Sequence, residues 1–162
     1  MTDCTDDHLS RNATPRILAV CSGGGHWIQM MRLRPAFAGA DVRYLTVDAR
    51  FIGDVGGARV HLVNDANEDR KLALLIQLLR VLLVMIRERP DIVLSTGASV
   101  GYFALRIGKL MGARTIWIDS IANVEQMSKS GRLAKGCADL WLTQWEHLVG
   151  PDGPRCYGSV LG

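Results

Sequence analysis

Cys21-Ser22-Gly23-Gly24-Gly25-His26 is the stretch of this chain in which residue type and spacing could do chemistry. Three consecutive glycines leave backbone N–H groups uncovered by any Cβ, so an anion can approach the main chain closely. His26 follows at once, where its imidazole faces whatever the turn holds. An apolar, β-rich run, Ile17-Leu18-Ala19-Val20-Cys21, precedes the turn. Trp27 to Arg34 follows it with helical spacing of large apolar residues. Strand, glycine turn and helix in that order aim free amides and the positive helix end at an anion, a phosphate first of all. A plain tight strand–helix connection has the same local signature.

Two later segments repeat the arrangement. Thr96-Gly97-Ala98-Ser99 follows the continuous apolar run of Asp91-Ile92-Val93-Leu94-Ser95, as expected for a buried parallel strand. Asp119, Ser120 and Asn123 follow Arg114-Thr115-Ile116-Trp117-Ile118. Strands alternate with helical segments throughout, so the expected fold class is α/β, a doubly wound, mostly parallel Rossmann-like sheet. Ligands of such sheets bind beyond the carboxyl ends of the strands. The three segments should therefore share one edge, and their convergence outweighs any one motif. The candidate phosphate- and substrate-binding residues are Ser22, Gly23, Gly24, Gly25, Thr96, Gly97, Ala98, Ser99, Ser120 and Asn123. An Asp after a strand is also a common N-cap, which is the plainer account of Asp119.

The elements that must position these residues read as follows. A second strand spans Val42 to Val47 and ends at Asp48; residues 51–58, with three glycines, read as a loop. A short third strand runs from Arg59 to Val63, with His61 on its polar face rather than acting as a ligand. Asn64 to Asp69 is a polar linker. Arg70 to Arg87 is a helix, stopped by Pro90, and apolar nearly all round except for Gln77 and Arg80. It falls short of the roughly 18–20 uninterrupted apolar residues of a span. Either it is buried against the sheet, or one face covers the sheet and the Leu72–Ile86 surface meets a membrane or partner. The basic flanks Arg70, Lys71, Arg87 and Arg89 suit anionic head groups. Val100 to Met111 is the next helix, with Gly112 at C′. Residues 121–130 read as loop to helical, 131–137 as a short basic helix, and Asp139 to Gln144 as a strand.

The 162 residues form one domain by length, 48% hydrophobic and 22% charged, a globular composition. Residues 1–14 read as a loose acidic tail, and 15–162 as the single domain. Net charge is +3, without the clustered Lys and Arg of a nucleic-acid footprint; a mildly basic body suits an anionic small ligand or membrane surface. The four cysteines lack C-x-x-C spacing and no histidine completes a zinc pattern, so no metal is expected. Cys21 reads as a small core residue. The N-terminus lacks the basic and apolar regions of a signal peptide, and the reading is a reducing cytosol.

The three glycine and carboxylate segments, in this order, resemble the N-terminal half of the MurG-like sugar-nucleotide glycosyltransferases, glycosyltransferase family 28, with the GT-B fold. The matching residues are Gly23-Gly24-Gly25-His26, Asp91 to Ala98, and Asp119. The sequence is more similar still to the PssD-like exopolysaccharide glycosyltransferase subunits and to the eukaryotic membrane subunit of the dolichol-linked N-acetylglucosamine transferase. Those are matched over Ile118 to Val124, Ser130-Gly131, Ala138-Asp139 and Gln144-Trp145. Many relatives carry Glu where this chain has Asp119, and the eukaryotic ones have an N-terminal membrane helix that residues 1–14 do not supply.

The resemblance implies one half of a GT-B fold and hexosyl transfer from a nucleotide sugar, a UDP-sugar, with no cofactor. It implies a second chain carrying the donor-binding domain, a lipid-linked acceptor, and a peripheral place on the cytoplasmic face of the membrane. It makes His26 and Asp119 the candidate catalytic bases, with the Gly23–Gly25 amides placed for a pyrophosphate of donor or acceptor. Two other functions fit the residues. One is a nucleotide- or dinucleotide-binding Rossmann domain, since Asp48 stands 25 residues after Gly23, near a ribose-binding acid's place; yet the turn is not G-x-G-x-x-G. The other is a non-catalytic scaffold that recruits a catalytic subunit to membrane.

Overall fold

The computed structural model describes residues 14–67 and 69–161. The expected acidic tail lies outside the described residues save for Thr14. Seven strands form one sheet: β1 (Arg16–Val20), β2 (Asp41–Thr46), β3 (Val60–Leu62), β4 (Ile92–Ser95), β5 (Arg114–Ile118), β6 (Leu140–Thr143) and β7 (Arg155–Cys156). Their order is β3-β2-β1-β4-β5-β6-β7, and every pairing is parallel. The chain thus winds outward one way from β1 to β3 and the other way from β4 to β7. The crevice between β1 and β4, where the winding reverses, is where such sheets hold ligands. The two-residue strand β7 is too short to carry a periodic signal, and the sequence pattern does not announce it.

Period-two alternation divides the core between the sheet faces. Leu18 and Val20 join Leu45, Val93, Val81, Met85, Val100 and Leu105 under α2 (Lys71–Glu88) and α3 (Ala98–Leu110). Ile17, Ala19 and Cys21 join Trp27, Met30, Tyr44 and Leu94 under α1 (Gly25–Arg32). Cys21 is wholly buried, and burial pushes its thiol pKa up to about 12.

Three local readings need correction. Residues 51–58 are not all loop: Ala49–Val55 is a 3-10 helix. Its start is capped by Asp48, and Phe51 stacks on Trp27 at 5.2 Å, so packing and a cap outweigh the glycines. The short basic helix α4 is Lys129–Ala134, set by the Ser128 cap, whose hydroxyl accepts Gly131 N–H at 2.8 Å. Residues 121–127 are turns held by side chains instead of a helix. His61 faces polar groups, as expected, but at the buried end of α2: its Nε2 lies 2.9 Å from Glu88 Oε1, off line for a straight hydrogen bond. Glu88, the last residue of α2, is 2% exposed and also pairs with Arg43 and Arg59, which pin the helix end onto β2 and β3.

α2 divides cleanly into two stripes. Gln77, Val81, Met85 and Glu88 are buried at helical spacing. Leu72, Leu75, Leu79, Leu83 and Ile86 form the opposite stripe, each more than half exposed. The helix therefore covers the sheet with one face only. No helix of the described residues is long and apolar enough to cross a membrane. Met85→Ala should lower unfolding free energy by about 2–5 kcal/mol through the cavity it leaves. Leu83→Ser should stay within ~0.5 kcal/mol, because it touches no core. Urea unfolding of both variants measures the difference.

Candidate functional site

The site is built where β1 and β4 end side by side. After β1 the chain turns through Ser22, Gly23 and Gly24 into α1, which starts with no side-chain cap. Gly24 has φ 63°, a left-handed value that a β-carbon would oppose. Gly23 is fixed for a steric reason: a Cβ there would lie 2.9 Å from Asp48 Oδ2 and 3.2 Å from the Phe51 ring. After β4 the chain turns through Thr96 and Gly97 into α3, also uncapped by any side chain. Ala98 opens that helix at φ 68°, a conformation that is strained for a non-glycine residue. Buried Ser95 holds the turn, its Oγ accepting Gly97 N–H at 3.1 Å.

His26 joins the two turns. Its Nδ1 lies 2.8 Å from Ser22 Oγ, and its Nε2 edge packs on the Cα of Gly97 where a side chain would otherwise stand. Thr96 Oγ1 donates to the His26 carbonyl at 2.8 Å. The Ser22 hydrogen bond and the Gly97 contact fix the ring and Thr96 fixes its main chain, so His26 is more closely surrounded than a residue after three glycines is expected to be. Burial lowers its pKa below the ordinary 6.5, with the charge of Asp119 partly opposing. The imidazole is therefore neutral at pH 7.

Asp119 directly follows β5 and is 1% exposed. Its Oδ1 accepts from Trp117 Nε1 (3.0 Å) and Ser128 Oγ (2.5 Å). Its Oδ2 accepts from Ser128 N (2.7 Å) and Asn123 Nδ2 (3.1 Å). The carboxylate thus faces the 123–131 segment and organises it, and Gly131 passes so close that a Cβ would lie 2.6 Å from Oδ1. The main chain of Asp119 is tied back to α1 through buried Gln29, whose Nε2 donates to Asp119 O at 3.1 Å. Gln29 Oε1 accepts Ile121 N–H at 3.3 Å.

Ser22, Gly23, Gly24 and Ala98 line one shallow cavity of about 410 Å³, closed on its far side by Val47, Asp48, Arg50 and Asp65. Gly25 begins α1 and is exposed beside it. Thr96 is wholly buried and Ser99 is engaged by Gln77 Oε1 at 2.8 Å, so both shape the turn from behind. Ser120 Oγ accepts Ala122 N–H at 3.3 Å, and Asn123 serves Asp119. Arg50 and Asp65 on the far wall, and the buried amides Gln29 and Gln77, are not among the candidates that the sequence singles out. Asp48 enters there only as a ribose-binding acid. These residues come from segments distant in the chain, and Gln77 alone carries a local signal, an amide inside an otherwise apolar helix. No group of His, Cys, Asp and Glu among the described residues is arranged to hold a metal.

The family model "Oligosaccharide biosynthesis protein Alg14 like" matches residues 58–159, more than half of the chain. No curated protein sequence matches it. In solved structures the chain is similar to MurG from Acinetobacter baumannii, with TM-score 0.68 and 12% identity over 89% of this chain and 44% of that one. It is similar to UDP-GlcNAc 2-epimerase from Neisseria meningitidis, with TM-score 0.66 and 11% identity over 90% and 47%. The 2-epimerase from Rickettsia bellii gives TM-score 0.67 and 12% identity over 92% and 46%. The chain spans somewhat less than half the length of these three proteins, and at such identities the likeness is one of fold.

Two outcomes follow from the geometry. Asp119→Ala should destabilise by ~3 kcal/mol or more, since each buried donor left unpaired costs about 1–3 kcal/mol; denaturant unfolding against wild type checks it. His26 and His61 both have folded pKa values below 6.5, through burial. The stability they contribute is complete above the unfolded value of about 6.5 and is lost as pH falls through the lower folded values. Unfolding free energy should therefore decline on acidification through that window, and an NMR titration should show the His26 ring charging only below pH 6.5.

Proposed function

Because the chain belongs to the Alg14-like family of oligosaccharide biosynthesis proteins, we propose that it is the acceptor-side subunit of a two-chain glycosyltransferase that uses a nucleotide sugar. One observation carries this reading: the glycine turn, neutral His26 and the Gly97–Ala98 turn meet in the β1–β4 crevice, with two uncapped helix N-termini beside them. Glycosyl transfer needs a base for the acceptor hydroxyl, stabilisation of the departing diphosphate, and exclusion of water.

His26 is assigned as the base. With Nδ1–H donating to Ser22 Oγ, the Nε2 lone pair lies over the Gly97–Ala98 turn, where an acceptor hydroxyl would approach. Ser22 then holds the ring in the useful tautomer. The Gly23–Gly25 amides hold a pyrophosphate, of the lipid-linked acceptor or of the donor. Asp119, whose four hydrogen bonds leave it no open lone-pair direction toward the cavity, sets the position of the 120–131 wall. Uridine diphosphate is the expected leaving group, since a 2-epimerase of this fold was solved bound to UDP-GlcNAc. A partner chain completes the donor side. A dinucleotide role would need Asp48 free for a ribose hydroxyl, but both its oxygens are taken by Arg50.

The chain is proposed to sit peripherally on the cytoplasmic face of a membrane through the exposed Leu72–Ile86 stripe of α2, with Arg70, Lys71, Arg80 and Arg87 toward anionic head groups. Anionic liposomes should carry the chain on flotation, less so at high salt and for Leu79→Ser with Leu83→Ser. Flotation unchanged by both treatments removes this part of the proposal.

The function itself is tested by co-expressing the chain with a donor-domain chain and assaying radiolabelled sugar transfer on membranes. The purified chain alone should be inactive. His26→Ala and His26→Asn should cost about 10²–10⁴ in rate, the range for a lost proton-transfer group, with melting temperature near wild type. If both variants keep rates within about threefold, only ~0.6 kcal/mol of barrier, His26 is not the base. Robust turnover without a partner overturns the two-chain reading.

A further inference from the structure

On the wall facing the glycine turn, Asp48 and Arg50 form a clasp whose geometry bears on what the cavity accepts. Arg50 Nε lies 3.0 Å from both Asp48 oxygens, and Nη2 lies 2.6 Å from Oδ2. Asp48 also accepts the Arg50 backbone N–H at 3.0 Å, so main chain and side chain are fixed together. A guanidinium carries five N–H donors in one plane. The clasp uses the Nε edge, and among the described residues no acceptor engages Nη1. The Arg50 side chain is 83% exposed while that of Asp48 is only 18% exposed. The carboxylate is packed against the glycine turn, with its Oδ2 only 2.9 Å from where a Gly23 Cβ would stand.

This placement has an electrostatic consequence. An anion on the Gly23–Gly25 amides would lie beside a carboxylate, a like-charge neighbour that opposes binding. Arg50 offsets that charge and leaves donors over, while Asp65 on the same wall keeps that side from being positive overall. Two anion-binding elements then stand on opposite walls: the turn amides on one and the free Nη1 edge on the other. A single phosphate needs only the first, whereas a diphosphate engages both.

We infer that Arg50, oriented by Asp48, is the specificity-determining residue that makes this site a diphosphate site rather than a monophosphate site. The inference rests on the reading of the glycine turn as the pyrophosphate-binding element. Arg50 donates from Nη1 to the second phosphate, and Asp48 is a positioning residue that holds the guanidinium plane. Charge alone does not suffice, because the fork geometry is what lysine lacks.

Calorimetric titration of the full chain with inorganic pyrophosphate and inorganic phosphate tests it, alongside Arg50→Ala, Arg50→Lys and Asp48→Asn, with melting temperature as the folding control. Wild type should prefer pyrophosphate. Arg50→Ala should weaken binding of both anions by uncovering the Asp48 charge, and should cost pyrophosphate about tenfold more than phosphate, the scale of a lost charge-assisted hydrogen bond. Arg50→Lys should recover only part. Asp48→Asn keeps the backbone cap and removes the like charge, so simple electrostatics predicts tighter binding; the positioning role predicts weaker binding. An equal loss of phosphate and pyrophosphate affinity in Arg50→Ala, no loss of either, or tighter binding by Asp48→Asn, overturns the inference while leaving the glycine-turn reading intact. No pyrophosphate binding by wild type overturns both. Parallel titrations with UDP and with farnesyl diphosphate distinguish the diphosphate's source: the ligand whose affinity falls in Arg50→Ala is the one this wall reads.

Discussion

The contact between the His26 ring and the Cα of Gly97 is the constraint on which the site depends. β1 and β4 are neighbours only because the sheet reverses its winding between them. That adjacency brings two strand–helix turns within one side chain's width. The ring fills the space a Gly97 side chain would occupy, while Ser22 holds its Nδ1 and Thr96 holds the His26 main chain. The cost appears in backbone conformation. Gly97 takes φ 146° and Ala98 takes φ 68°, and both are held there by Ser95 and by the packed ring. Strain of that kind persists only where the surroundings over-determine it.

Much of this is legible in the sequence because it is local. A glycine turn after an apolar run, a buried strand before Thr96, and a carboxylate ending β5 all announce themselves within a few residues. From alternation alone the parallel sheet and the shared edge follow, and the sheet is wholly parallel. The illegible parts are those decided by distant partners. Asp48 has a local appearance that fits a ribose, and only its pairing with Arg50 and its packing against Gly23 give it another character. Residues 51–58 look like loop because glycines dominate them, yet Phe51 on Trp27 and buried Val55 fold them. His61 alternates with apolar neighbours, and nothing in its own strand points to Glu88 at the end of α2.

α2 shows how polar residues inside an apolar helix settle its orientation. Gln77 and Glu88 are both on the buried stripe, one in the first half of the helix and one at its end. Gln77 donates to Asn64 O at 2.8 Å and accepts from Ser99, which ties the helix to the linker before it and to the first turn of α3. Glu88 gathers Arg43, Arg59 and His61. A leucine-rich helix with no such residues could rotate about its axis with little penalty, since either face would cover the sheet equally well. Burying two polar side chains fixes the rotation, because each finds its partners in only one setting. The exposed leucine stripe is then the remainder of a helix whose orientation is chosen by its polar minority.

The same logic separates two acidic groups that stand beyond strand ends on this edge of the sheet. Asp119 and Asp48 both follow parallel strands, and each could be drawn into chemistry by sequence position alone. Asp119 commits four hydrogen bonds to Trp117, Asn123 and Ser128, and is sealed from solvent. A base must exchange its proton with a substrate, so a carboxylate with every lone pair engaged is better suited to hold a wall in place. Asp48 is shielded by a cation that itself retains free donors, so its effect on a ligand passes through Arg50. His26 differs from both. Burial keeps it neutral, only Nδ1 has a hydrogen-bond partner among the described residues, and the opposite nitrogen faces the junction of the two turns. A neutral ring with one nitrogen unengaged among the described residues is the arrangement that the proposed role as base requires.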